Sequence, residues 1–161
     1  MTPFRLAAFA RLAARLARTE RELQQMEAYY ADHADEVRAG DWGAVSAMSS
    51  GIHNVYNGIE DALLSIAKDV DAYVPTGGSA HQDILDQMAA DIAGIRPALL
   101  DAELYDALFD LKGFRHLVRH KYGIDLKPEK VIENLLRLRT VFPAFMSAVA
   151  QLEATLSADG D

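Results

Sequence analysis

The chain has 161 residues, half of them apolar and a quarter charged, which is the composition of one ordinary globular domain. It contains no cysteine, which excludes disulfide frameworks and thiolate metal centres. The net charge of −8 argues against a protein that coats nucleic acid indiscriminately.

Thr2-Pro3 reads as an N-cap followed by proline at the first helical position. The spacing of Leu6, Phe9, Ala13, Leu16, Leu23, Met26 and Tyr30 predicts a first helix of more than thirty residues. It should break near Tyr29–Asp35 and stop at Gly40. Four arginines (Arg5, Arg11, Arg15, Arg18) precede its first acid, Glu20, a pattern shared with transit peptides; because the apolar spacing continues past residue 19, a folded helix is the better reading. The Asp32-His33-Asp35-Glu36 cluster reads as a polar helix end rather than a cation site.

Asp41 can cap a second helix, and Trp42 is expected to plug its first turn. Val45, Met48, Ile52, Val55, Ile59, Leu63, Ile66, Val70 and Tyr73 recur in steps of three and four, which predicts one continuous buried face. Gly51 and Gly58, seven apart, would let another helix approach closely. His53, Asn54 and Tyr56 on this helix read better as a hydrogen-bonded interior cluster than as the lining of a cleft. Pro75-Thr76-Gly77-Gly78 breaks the chain.

Ser79 is expected to cap a shorter third helix through Ile84, Leu85, Met88 and Ile92, ended by Gly94 and Pro97, with His81 solvated in its first turn. A fourth helix should run from about Asp101 to Tyr122 and stop at Gly123. Pro128 opens the last helix, whose stripe is Val131, Leu135, Leu138, Phe142, Phe145, Val149, Leu152 and Leu156, with a kink expected at Pro143. No segment alternates like a half-buried strand, and none approaches the ~20 apolar residues of a membrane span. The expectation is an all-α, up-and-down bundle of four long helices plus a shorter one. Residues 1–157 would form a single domain and 158–161 a frayed tail. A cytoplasmic location and the absence of any membrane partner are expected.

Several chemistries lack their residues. The positions three before each histidine hold Tyr30, Ser50, Gly78, Gly113 and Leu117, so no Glu-x-x-His metal pair exists. There is no His-Glu-x-x-His, P-loop, dinucleotide fingerprint or nucleophile elbow. Gly78-Ser79 is followed by Asp91-Ile92-Ala93, which lacks the second acid of a nucleotidyltransferase motif. No metal or cofactor is expected.

The densest polar segment is Leu111–Gly123. The window Lys112–Lys130 holds six Lys/Arg against two acids, +4 in a chain of −8, so the remainder carries −12. At 100° per residue Arg115, Arg119 and Tyr122 share a stripe, and His116 and His120 form the adjacent one, while Leu117 and Val118 can face the core. An imidazole can take a proton from a ribose 2′-hydroxyl or give one to a leaving oxygen. A guanidinium can grip two phosphate oxygens and stabilise developing charge. Arg and His near a helix C-terminus are also favoured by the helix dipole, so residue types alone leave a structural role open.

Arg115, His120, Lys121 and Tyr122 resemble the Arg-x4-His-x-Tyr motif of HepT toxins and, more broadly, the Arg-x4-6-His signature of HEPN ribonucleases, with His116 at the polar position after the arginine. The blocks Gly51–Glu60, His81–Met88 with Arg96-Pro97, and Phe114–Tyr122 are similar to that family too. The resemblance covers roughly residues 40–155; the first helix matches only in pattern. It implies a HEPN-like bundle and an endoribonuclease of a type VII-like toxin–antitoxin pair. Arg115 and His120 would be its catalytic pair. His116 would be a supporting residue near the phosphate; Arg119 and Lys121 are possible RNA contacts, with a solvated surface role equally open for Arg119. It further implies a homodimer with a composite active site, RNA as substrate, and a minimal-nucleotidyltransferase antitoxin that places AMP on Tyr122. The alternative is a non-catalytic HEPN dimer serving as accessory subunit of a nucleotidyltransferase.

Overall fold

The structure, a computed structural model, describes residues 3–121 and 126–160, and within them it does not describe the side chains of Pro3, Phe4, Arg119, His120 and Lys121. Among the described residues five α-helices follow one another: α1 (Pro3–Arg38), α2 (Trp42–Ile66), the short α3 (Ala80–Met88), α4 (Ala102–Lys121) and α5 (Pro128–Ala158). No strand occurs among the described residues. The architecture is the all-α bundle of four long helices and a shorter one that the periodicity predicts.

α1 breaks its helical geometry at His33 (φ −127°, ψ 23°), inside the predicted segment. The His33 ring stacks on Tyr29 with centroids 4.1 Å apart, and its Nδ1–H donates to the Tyr29 carbonyl at 2.9 Å, competing for the i−4 acceptor of the helix. Gly40, at φ +78°, ends the chain's run, and Asp41 then caps α2 by accepting from the Ala44 N–H at 2.9 Å. The core face of α1 is Ala8, Phe9, Leu12, Leu16, Thr19, Leu23 and Met26, whereas Leu6 and Ala13 are exposed. The apolar spacing had them face inward. A run so rich in Ala and Leu offers two overlapping stripes, and packing against α2 selects one. Trp42 lies at 71% exposure and plugs nothing.

α1 lies along α2 at close range. A side chain at Gly51 would meet the flexible end of Met26, with Sδ at 2.7 Å, whereas one at Gly58 would run into the whole Thr19 side chain, so Gly58 is the glycine that the approach of the two helices requires. The α2 stripe is buried from Val45 through Val70, as predicted, but not at Tyr73. A π-helical turn, Ala67–Asp71, follows α2 and ends at Ala72 in the left-handed region (φ 57°), which turns Tyr73 out to solvent.

The cause of this ending is an ion pair. Asp71 accepts from Arg96 Nε at 2.6 Å and Nη2 at 2.8 Å, both side chains being at most 1% exposed. Arg96 also donates to the carbonyls of Gln87, Ala90 and Pro97. These carbonyls are available because α3 stops at Met88, four residues before Ile92, contrary to the sequence expectation; the apolar period continued where the chain instead wraps a guanidinium. Ser79 does not cap α3 through its side chain but donates to Asp83 at 2.7 Å. Asp101 opens α4 by accepting from the Leu104 N–H at 2.8 Å.

α5 runs unbroken through Pro143, and all eight residues of its predicted stripe are buried. By length and composition α5 is apolar enough to cross a membrane, with a mean hydropathy of 1.2 over 18 residues. Here its apolar side completes the core of the bundle.

Candidate active site

Arg115 sits in the last two turns of α4, one residue after the buried Phe114 that anchors this end of the helix to the core. Its side chain is half-buried and turned toward α2 and α3. Nε donates to Asn57 Oδ1 at 2.7 Å, and Nη1 approaches His81 Nε2 at a long 3.5 Å. Both acceptors are neutral, so the guanidinium is aimed by its partners without being neutralised by a carboxylate at those contacts.

Two further layers stand behind these contacts. Asn57 Nδ2 donates to His53 Nε2 at 3.0 Å, one turn earlier on α2. His81 Nδ1–H donates to Glu60 Oε1 at 2.7 Å, and Glu60 is 6% exposed. A carboxylate accepting at Nδ1 and a guanidinium donating at Nε2 together select the imidazole tautomer with its proton on Nδ1. Tyr56 is buried beside Glu60; burial foremost, then the Glu60 charge, pushes its phenol far above the ordinary tyrosine range, with the Arg115 charge opposing. Its hydroxyl and Glu60 Oε2 form no well-aligned hydrogen bond among the described residues. Proximity to Glu60 therefore acts on Tyr56 mainly through charge.

A second network sets α3 against α4. Lys112 donates to Gln82 Oε1 at 2.7 Å and lies 4.7 Å from the Phe109 ring centre. Gln82 donates to Tyr105 Oη at 2.7 Å and to Asp86 at 2.9 Å. Gln82 adjoins His81, so this seam holds His81 in register with Arg115.

A groove of about 580 Å³ opens beside Asn57, lined by Arg15, Arg18, Thr19 and Glu22 of α1 and by Asn54, Asn57, Gly58 and Asp61 of α2. The first helix thus reaches the neighbourhood of the site. A larger groove of about 780 Å³ lies between the start of α4 and α5 and contains no residue of the Arg115 network.

The structure places the predicted residues as follows. Arg115 is in the network, and His116 is exposed on the adjoining position of α4. Val118 packs against the core, but Leu117, expected to do the same, is 41% exposed. The backbone of Arg119, His120 and Lys121 continues α4, while their side chains, and Tyr122 and Gly123 entirely, lie outside the described residues. The cluster predicted on α2 divides: Tyr56 is interior, His53 joins the Asn57 layer, and Asn54 is exposed on the groove. His81, expected to be solvated, is tied to Glu60 instead. Glu60 and Asn57 carry roles that sequence reading did not assign. The signal for Glu60 was available, since it falls next to Ile59 on the apolar stripe, where a carboxylate is out of place. Nothing local pairs it with a histidine 21 residues away.

No curated protein and no solved structure matches the chain. A family profile described as HepT-like protein matches residues 47–156, more than half the chain, and that span includes Asn57, Glu60, His81 and Arg115. With its helical bundle, its arginine aimed from the end of α4 and this match, the chain belongs to the HepT-like family of HEPN toxin-type proteins.

Proposed function

We propose that the protein is a metal-independent endoribonuclease toxin in which Arg115 and His120 form the catalytic pair. The observation that carries this reading is the arginine itself: half-buried, held by Asn57 and His81, and not paired with a carboxylate through either contact. A guanidinium so aimed stabilises the charge that grows on a phosphate during in-line attack without first reorganising. His120, five positions on, supplies an imidazole for proton transfer, and His116 contacts the phosphate chain. Arg119 and Lys121 extend the cationic face along the RNA. The acidic body repels polyanions elsewhere, which confines RNA to this end of the molecule.

The same reading has the protein act as a homodimer that brings two such faces together, paired with a minimal-nucleotidyltransferase antitoxin. AMP on Tyr122 adds bulk and negative charge beside the motif and so excludes RNA.

The test is direct. Purified protein, Arg115→Ala and His120→Ala are incubated with total RNA in EDTA. Wild type is expected to degrade RNA, and each substitution to reduce the rate about 100-fold or more. If wild type leaves RNA intact, the reading fails. For the antitoxin, mass spectrometry after incubation with the partner and ATP is expected to find an adenylyl group on Tyr122; an unmodified Tyr122 removes the regulatory part.

A further inference from the structure

The ribonuclease reading leaves one arrangement unused: a buried carboxylate aiming a partly exposed imidazole at the catalytic arginine. Glu60 is 6% exposed, and its Oε1 accepts from His81 Nδ1–H at 2.7 Å. Burying a carboxylate costs several kcal/mol unless its partner compensates, and among the described residues this histidine is the hydrogen-bonded partner of Glu60 Oε1. The His81 side chain is 43% exposed, so the ring spans from the core to the surface. Its Nε2 is 3.5 Å from Arg115 Nη1.

We propose that His81 is the catalytic base of the Arg115 site, held in its Nδ1–H form by Glu60 so that Nε2 accepts the proton of a ribose 2′-hydroxyl. The proposal rests on the ribonuclease reading and adds a residue from a different helix to it. Geometry supports the assignment. Attack requires the 2′-oxygen to stand roughly 3–3.5 Å from the phosphorus. Nε2 has one lone pair, so the long contact with Nη1 gives way when a phosphate takes the guanidinium, which leaves the base beside the bound phosphate. Glu60 does not touch the substrate; it is a positioning residue that sets the tautomer and balances the imidazolium when it forms, as the aspartate of a hydrolase triad does.

The step closes without a co-reactant. Nε2 takes the 2′-hydroxyl proton as the 2′-oxygen bonds to phosphorus, and the bond from phosphorus to the 5′-oxygen breaks. The departing 5′-oxygen takes a proton from His120 or from water. The products are a 2′,3′-cyclic phosphate and a 5′-hydroxyl, and His81 returns its proton to solvent. Among the described residues, Glu60 of α2 and Arg115 of α4 contact His81 directly; Tyr56 of α2 adjoins Glu60 and Arg115, and Lys112 of α4 is held by the adjoining Gln82.

The experiment measures single-turnover cleavage of an oligoribonucleotide against pH, for full-length wild type, His81→Gln, Glu60→Gln and Glu60→Asp. His33→Gln, at the bend of α1, is the histidine control. Affinity is measured with the same oligonucleotide carrying 2′-deoxyribose at the cut position. The expected result is a loss of about 100-fold or more in His81→Gln, with affinity retained and the acid limb of the pH profile lost. Glu60→Gln should move that limb and Glu60→Asp partly restore it, and product ends should be cyclic phosphates. Wild-type rate and an unchanged acid limb in His81→Gln overturn the proposal. So does a parallel loss of rate and affinity with the limb intact, which makes His81 a phosphate contact. An inactive wild type brings down the ribonuclease reading first and this one with it. Nitrogen NMR of histidine in the wild-type protein tests the tautomer independently of any variant's folding: a neutral His81 with its proton on Nε2 overturns the proposal.

Discussion

At the scale of single residues, two buried polar side chains behave in opposite ways. Arg96 uses its donors on Asp71, in the turn after α2, and on the carbonyls of Gln87, Ala90 and Pro97 at and beyond the end of α3. Arg96→Ala leaves the Asp71 carboxylate buried without a cation, with the neutral Gln87 amide still donating to Oδ2, and is expected to lower unfolding free energy by about 3 kcal/mol in chemical denaturation. Tyr56 makes the opposite case. Its hydroxyl lacks a well-formed partner among the described residues, and its folded pKa is raised from 10.0. Below pH 10 the phenol is protonated in both states and contributes no slope. Above pH 10 only the unfolded state releases the proton, so wild type loses stability at about 1.4 kcal/mol per pH unit from this group. Tyr56→Phe should be neutral or stabilising at pH 7 and should lose stability less steeply between pH 10 and 11.5. An identical alkaline slope in both proteins would contradict the environment described for Tyr56.

At the scale of elements, the closest fit is between α1 and α2. Gly58→Ala drives a methyl group into Thr19, and an overpacked contact of this kind costs about 1–3 kcal/mol. Combining it with Thr19→Ala should recover much of that loss. A double-mutant cycle showing no coupling would mean that the helices separate more easily than their glycines suggest. The helix ends follow local chemistry where a cap is simple: Asp41→Ala should cost about 0.5–2 kcal/mol, because the Ala44 N–H loses its acceptor. Where tertiary partners intervene, local signals mislead. The stripe of α2 points to Tyr73, yet the π-helical turn that delivers Asp71 to Arg96 rotates Tyr73 outward.

At the scale of the whole molecule, α1 lies entirely outside the family match, yet it supplies Phe9, Leu12, Leu16, Leu23 and Met26 to the common core. A chain trimmed to residues 47–156 exposes the apolar face of α2 and should fail to give a cooperative thermal transition, whereas the full chain gives one. The charge distribution makes a second prediction. RNA binding should weaken with salt, and Arg115→Ala should reduce the slope of log affinity against log salt by about 0.7, the value for one contact to a single-stranded phosphate. No change in slope would mean that Arg115 does not meet a phosphate in the complex.

The amino-acid order by itself determined the all-α bundle, the helix count among the described residues, and the core faces of α5 and of α2 as far as Val70. Each follows from periodicity, capping or residue chemistry, which act over a few turns of chain. Only the tertiary structure decided which of the overlapping apolar stripes of α1 faces inward, where α3 stops, why Trp42 stays in solvent, and that Asn57, Glu60 and His81 converge on Arg115. Those outcomes depend on partners 21 to 58 residues apart in sequence. No local preference encodes such pairings; they arise when close-packed helices bring buried polar groups together and each must find a partner.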